Sequence, residues 1–134
     1  MKKPQYAFDS YALLAYLQGE KGADQVESLM DQAAEDEIAI HASIISLGEV
    51  AYMVERRHGT AWRDRVLDQL AMFPVEFEQT DMERVLAAAH VKAHYAISYA
   101  DAFAAALAQE LDATIVTGDP EFRQVETLVH VLWL

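Results

Sequence analysis

The chain has 134 residues, 53% of them hydrophobic, which is enough apolar material for one folded domain (residues 1–134) and too much for a disordered protein. Its 10 Lys and Arg are outnumbered by 22 Asp and Glu, and the net charge of −12 disfavours double-stranded nucleic acid as a partner and favours a bound cation or a basic protein. It has no cysteine and no apolar run of the ~20 residues that a membrane helix needs, so we expect a cytoplasmic chain without disulfides.

Short β-like runs alternate with helical runs along the chain, which is typical of an α/β domain with a largely parallel sheet. The first strand is predicted at residues 5–9 and is followed by helices at residues 10–18 and 23–36. A second strand at residues 37–41 leads into a helix at residues 43–58. The first half therefore reads as strand, two helices, strand and helix.

The second half continues the same alternation. Thr60 is predicted to cap a fourth helix, and the alternating apolar and acidic residues 74–78 predict an edge strand. Asp81 begins a further helix, whose predicted apolar face is formed by Met82, Val85, Leu86, Ala89 and Ala93. The remaining predicted elements are an alanine-rich helix at residues 99–111, a strand at 113–117, a short helix after Pro120 and a strand at 129–133.

Four acidic residues occupy related places in this layout. Asp9 ends the first predicted strand, and Asp119 follows the fourth by two residues, while Glu49 and Asp101 lie in the first turns of helices. In open parallel sheets, ligands bind beyond the carboxyl ends of the strands. We therefore expect all four carboxylates to meet in one cleft.

Each of these acids, taken alone, also fits a role as a helix cap. Asp9 and Asp119 fit N-cap positions, while Glu49 and Asp101 each follow a serine by three residues, as in a capping box. Gathered together, however, they would repel one another, since two unit charges 4 Å apart cost about 4 kcal/mol at an effective dielectric constant of 20. No Lys or Arg lies within a few residues of Asp9, Asp101 or Asp119, so a divalent cation is the predicted counter-charge.

The predicted metal site has oxygen ligands only, which favours Mg²⁺ or Mn²⁺. An acidic cluster of this kind, without a Gly-rich phosphate loop, is typical of phosphodiester hydrolysis by a metal-activated water. Glu49 is predicted to be either a ligand or the base that orients this water. The predicted ligands and supporting hydroxyls are Asp9, Glu49, Asp101, Asp119, Ser10 and Thr117.

The sequence around these acids resembles the PIN domain family, and most of all the VapC-type toxins of bacterial toxin–antitoxin pairs. The similar stretches are FDSYALLA at residues 8–15, SLGEV at 46–50, SYADAFAAALA at 98–108 and TGDPEF at 117–122. The resemblance implies a three-layer α/β/α sandwich with a five-stranded parallel sheet in the order 3-2-1-4-5. It also places the family's acidic quartet on Asp9, Glu49, Asp101 and Asp119, and its helper hydroxyls on Ser10 and Thr117.

The same resemblance implies a function and partners. It implies an endoribonuclease that requires Mg²⁺ or Mn²⁺ and that acts as the toxin of a toxin–antitoxin pair. It further implies a homodimer, inhibited by an antitoxin whose C-terminal segment covers the acidic cleft. A basic segment would suit the strong negative charge of this chain.

Two other functions stay open on the sequence alone. One is a binding module that keeps the PIN fold without catalysis. The other is a phospho-acceptor receiver domain, which needs a pair of acids after its first strand and a lysine after its fifth. Here Asp9 is followed by Ser10, and no lysine follows Lys92, so the receiver is disfavoured.

Three further features receive no catalytic role. His90 and His94 have the i, i+4 spacing of zinc ligands, but no third ligand stands near them in the sequence. Trp62 is expected in the core or at a dimer contact. A local basic cluster is expected to be either a solvated helix end or an RNA contact, and its members are Arg56, Arg57, His58, Arg63 and Arg65.

Overall fold

Five short strands form a single parallel sheet in the computed structural model, which describes residues 2–134. The strands are β1 (Gln5–Phe8), β2 (Ala39–Ser43), β3 (Glu76–Glu78), β4 (Thr114–Thr117) and β5 (Val131–Trp133). They lie in the order β3-β2-β1-β4-β5, and every neighbouring pair is parallel. The predicted strand order is confirmed, and because receiver domains use the order 2-1-3-4-5, that alternative is excluded. Met1, part of the predicted domain, lies outside the described residues.

Helices connect the strands and cover both faces of the sheet. They are α1 (Ser10–Gln18), α2 (Ala23–Ala34), α3 (Ile44–His58), α4 (Thr60–Leu70), α5 (Met82–His94), α6 (Tyr99–Leu111) and a 3₁₀ helix at Pro120–Val125. Within residues 2–134, none of them has the length and apolar character that crossing a bilayer requires.

Alternate residues of the central strands point into two separate cores. Ala7 of β1 and Ile115 of β4 belong to an apolar cluster shared with α5 and α6. Their sequence neighbours, Phe8 and Val116, belong to a second cluster shared with α1, α2, α3 and α4. This alternation is the period-two pattern of a sheet buried on both faces, and it confirms the predicted three-layer sandwich.

Helix α6 is buried along most of its length. Its small side chains let its backbone approach α5, α3 and the strands β1, β2 and β4 closely. The buried alanines of this helix are Ala102, Ala104, Ala105, Ala106 and Ala108. Asp101 lies in the first turn of the same helix and is itself buried, so the helix fixes a carboxylate next to the sheet.

The predicted start of α3 near Ser43 is confirmed, whereas the possible capping box at Glu49 and the predicted cap of α4 at Thr60 are wrong. Strand β2 runs to Ser43, and the Ser43 hydroxyl accepts a hydrogen bond from the Ile45 N–H, so Ser43 is the N-cap of α3. Glu49 therefore lies inside the helix and takes no part in a capping box. Thr60 is the first residue of α4 rather than its cap, because Gly59 turns the chain directly from α3 into α4 with a φ of 91°.

The exposed apolar side chains also differ from the prediction. Helix α5 buries Ala88 and Val91 against α6, whereas Met82 is 76% exposed and Leu86 is 61% exposed. The apolar stripe of this helix is therefore wider than the face that α6 covers. Trp62 is 47% exposed and lies beside the Arg65 guanidinium. It is therefore not in the core, and a dimer contact at Trp62 stays a prediction.

Candidate active site

An open cleft of about 260 Å³ contains three of the four predicted acids. It lies at the carboxyl ends of β1 and β4, where these strands lead into α1 and into the 3₁₀ helix. Its polar lining consists of Ser10, Glu49, Ser98, Asp101, Asp119 and Glu121. The fourth acid, Asp9, is buried behind this lining and feels the charges of Asp119 and Glu49.

Asp9 is held rigidly at the end of β1. As the N-cap of α1, it accepts a hydrogen bond from the Ala12 N–H at 2.9 Å through Oδ1, and its Oδ2 accepts one from the Thr117 hydroxyl. Burial raises the pKa of Asp9 to about 7. The two hydrogen bonds oppose this rise, and the nearby charges of Asp119 and Glu49 add to it.

The loop after β4 is shaped by side-chain hydrogen bonds to the backbone. The Thr117 hydroxyl oxygen accepts from the Asp119 N–H at 3.0 Å, and Asp119 Oδ1 accepts from the Glu121 N–H at 2.9 Å. Pro120 occupies the first turn of the 3₁₀ helix, so the predicted capping role of Asp119 is confirmed. Thr117 thus connects Asp9, which follows β1, to Asp119, which follows β4.

The two hydrogen bonds that cap the N-terminus of α6 involve two different acidic residues, Asp101 and Glu121. The Ser98 hydroxyl oxygen accepts from the Asp101 N–H at 3.1 Å, as in a capping box. The reciprocal bond from the Ser98 N–H goes to Glu121 Oε1 at 3.0 Å rather than to Asp101. The pKa of Asp101 is raised to about 8, mainly by burial and further by the charges of Asp119, Asp9 and Glu121.

Three carboxylates of the cleft are close enough to share one cation. Oxygen atoms of Asp101, Asp119 and Glu121 all lie within 4.8 Å of one another. Asp9 and Glu49 lie outside this group. Asp9 accepts hydrogen bonds from Ala12 and Thr117, and Glu49 accepts one from the Ser10 hydroxyl. No ion pair in residues 2–134 involves the three clustered acids. Their oxygen-only chemistry fits a hard divalent cation.

Glu121 is the residue that sequence reasoning missed. Its signal was its place two positions after Asp119, inside a stretch already singled out for its resemblance to the PIN family. The assignment of Asp9, Glu49, Asp101 and Asp119 as metal ligands stays a prediction.

A second polar cluster, away from the cleft, has its own internal partners. His41 Nδ1 lies 2.9 Å from Glu78 Oε2, and His41 Nε2 lies 2.7 Å from Gln5 Oε1. Glu78 also pairs with Arg84 at 3.3 Å, so these groups form a hydrogen-bonded network at the sheet edge. The His90 and His94 rings pack with their centroids 4.5 Å apart and belong to no cluster of possible metal ligands in residues 2–134.

The fold is shared with known toxin–antitoxin proteins. One similar structure is VapBC2 from Rickettsia felis, bound to a DNA fragment from its promoter, with 18% identity, a TM-score of 0.75 and 96% and 97% of the two chains covered. Another is the sarcin–ricin loop cleaving toxin VapC20 from Mycobacterium tuberculosis, with 15% identity, a TM-score of 0.70 and 88% and 92% covered. A third is VapBC-5 from Mycobacterium tuberculosis, a member of the VapBC family of toxin–antitoxin systems, with 17% identity, a TM-score of 0.62 and 97% of each chain covered.

The sequence comparisons identify the family. A search of curated proteins found no match. The family model described as PIN domain matches residues 6–128, which is nearly the whole chain and includes every acid of the cleft. The strand order of the sheet and the structural similarity agree with this match. The chain therefore belongs to the PIN domain family.

Proposed function

We propose that the protein is an endoribonuclease that uses Mg²⁺ or Mn²⁺ to hydrolyse RNA phosphodiester bonds, and that it acts as the toxin of a toxin–antitoxin pair. The observation that carries this proposal is the crowding of carboxylates in one cleft without a basic partner. Burial and mutual repulsion raise the pKa of both Asp9 and Asp101. Such a cluster is costly to maintain in ionised form unless a cation binds there.

Asp101, Asp119 and Glu121 are the residues that would hold the cation, because their oxygens converge. A divalent cation held by these residues would polarise a phosphoryl oxygen and would lower the pKa of a bound water. Glu49, oriented by Ser10, is the base that accepts a proton from the attacking water if it does not itself serve as a ligand. The water oxygen bonds to phosphorus while the bond from phosphorus to the leaving ribose oxygen breaks. Asp9 adds a buried negative charge beneath the site.

The direct test is cleavage of RNA by the purified protein. We expect cleavage products from total bacterial RNA in millimolar Mg²⁺ or Mn²⁺, none in EDTA, and recovery when the metal is restored. The variant Asp112→Asn, which changes an acid beyond the end of α6, is the matched control and should cleave like the wild type. Cleavage that persists in EDTA would contradict metal dependence, and no cleavage with either metal would favour a non-catalytic binding module.

The proposed partner is an antitoxin with a basic C-terminal segment. One structural neighbour is named as a member of a family of toxin–antitoxin systems, and the net charge of −12 on this chain suits a basic segment. A cytoplasmic location is part of the same proposal, since RNA is the substrate and the chain has no cysteine.

We also propose that the protein is a homodimer, and the exposed side chains of α5 support this. Met82 and Leu86 lie one turn apart on this helix and leave an apolar strip uncovered. We expect the protein to elute at twice its chain mass of 15.0 kDa in size exclusion with light scattering, and Leu86→Glu to elute as a monomer. The control Met72→Glu changes an exposed methionine beyond α4 and should stay dimeric. A wild-type monomer at micromolar concentration would contradict the dimer.

A further inference from the structure

A larger groove adjoins the acidic cleft. It has a volume of about 540 Å³ and lies between α1 and α3. Tyr11, Leu14 and Met53 line both the cleft and this groove, so the two form one continuous surface. At its far end the groove is bordered by Arg56 and Arg57 at the end of α3, and Glu20 also lies along it.

The two arginines are free to bind an anion. Three cations of residues 2–134 are held in ion pairs, namely Lys3, Arg63 and Arg84. Neither Arg56 nor Arg57 takes part in an ion pair within residues 2–134, and both are exposed. Guanidinium groups match phosphate geometry with two parallel hydrogen bonds. In a chain of net charge −12, two adjacent unpaired arginines mark one place where phosphate is attracted.

Tyr11 supplies an aromatic surface where the cleft meets the groove. Its ring lies so close to the Gly118 backbone that a Cβ atom on residue 118 would stand 2.3 Å from Tyr11 Cε1. Gly118 directly precedes Asp119, so the ring is placed beside the acidic cleft. The Tyr11 side chain stays partly open to solvent. Exposed aromatic rings beside basic side chains are the usual platform for unpaired bases.

We infer that the groove between α1 and α3 binds the substrate as a single strand, with a base on Tyr11 and the backbone phosphates beyond it at Arg56 and Arg57. The inference rests on the proposed ribonuclease function and specifies how its substrate is held. Charge complementarity decides the occupant. A basic protein segment would be repelled by the same two arginines, whereas a phosphate strand is attracted to them.

The test is binding of a short fluorescein-labelled single-stranded RNA of mixed sequence, measured by anisotropy in Mg²⁺. The Asp101→Asn background is used so that the RNA is not cut. We expect Arg56→Gln/Arg57→Gln to raise the Kd about ten-fold and to reduce the slope of log K against log salt by about 1.4. Tyr11→Ala should weaken binding several-fold, and Tyr11→Phe should restore it because the ring is kept.

The matched control is Lys2→Gln/Lys21→Gln, which removes the same charge from two exposed residues that do not line the groove. If the groove variant and this control bind RNA equally, the inference is overturned. It is also overturned if the groove variant weakens binding of a purified antitoxin and leaves RNA binding unchanged. Cleavage by the wild type is assayed separately, so the ribonuclease can stand while the groove assignment fails. If the background protein binds no RNA at all, the groove assignment is overturned, and cleavage by the wild type alone decides the ribonuclease.

Discussion

Replacing Asp101 by Asn should abolish RNA cleavage and at the same time stabilise the metal-free protein. Asp101 is 5% exposed and shares its surroundings with the charges of Asp119, Asp9 and Glu121. Asn has nearly the same shape but no charge, so it removes a metal ligand and relieves the repulsion together. We expect cleavage to fall by about a thousand-fold or more and the melting temperature in EDTA near pH 8 to rise by about 5 °C.

The opposite signs of these two effects are what make this test specific. A variant that simply misfolds would lose activity and stability together. Circular dichroism gives the melting temperature, and a gel assay with labelled RNA gives the cleavage rate. The control Asp112→Asn should leave the cleavage rate unchanged, because Asp112 lies at the far end of α6. An Asp101→Asn protein that cleaves RNA like the wild type would remove Asp101 from the site.

The second large effect is a pH-dependent response to metal. The pKa values of Asp9 and Asp101 in the folded protein are raised to about 7 and about 8 from an ordinary value of 3.8. Between pH 3.8 and about pH 8 the folded protein holds more protons than the unfolded chain. The free energy of unfolding of the metal-free protein therefore falls as the pH rises through this range. For Asp9 alone the loss approaches roughly 4 kcal/mol once pH exceeds its folded pKa.

Divalent metal should restore that lost stability only where the carboxylates are ionised. At about pH 5 the folded protein keeps Asp9 and Asp101 protonated, and a cation must compete with protons. Above about pH 8 the same cation relieves repulsion, and a concentration near 100 times Kd stabilises by about 2.7 kcal/mol. We therefore expect Mg²⁺ or Mn²⁺ to raise the melting temperature by about 10 °C near pH 8.5 and only slightly near pH 5.

Differential scanning fluorimetry across this pH range measures the effect directly. Asp112→Asn should respond to metal as the wild type does, and Asp101→Asn should lose most of the response. An equal shift at both pH values would mean that the metal binds elsewhere, to groups that do not titrate in this range. No shift at any pH would argue against a metal at the carboxylate cluster.

Much of this site could be predicted because it is encoded locally. Asp9 and Asp119 follow apolar strands directly, and strands of a parallel sheet end at one edge, so the meeting of distant acids follows from topology. The alternation of strands and helices predicted the parallel sheet for the same reason, whereas the three-layer sandwich came from the resemblance to the PIN family. The strand order, by contrast, came from the resemblance to the PIN family rather than from any local pattern.

What could not be predicted depends on contacts between distant parts of the chain. Glu121 caps Ser98 across 23 positions, and no local pattern signals that the cap of α6 is supplied by another segment. Met82 and Leu86 have the periodicity of a buried face, but only the path of α6 decides which part of that face is covered. Glu49 resembled a capping acid because it follows Ser46 by three residues, but the cap of α3 is Ser43.

The hydrogen bond between Asp9 and Thr117 joins positions 108 residues apart. During synthesis the first of these leaves the ribosome long before the second exists. A nascent chain therefore carries isolated acids, and the carboxylate cluster assembles only after positions 117 to 121 have left the ribosome.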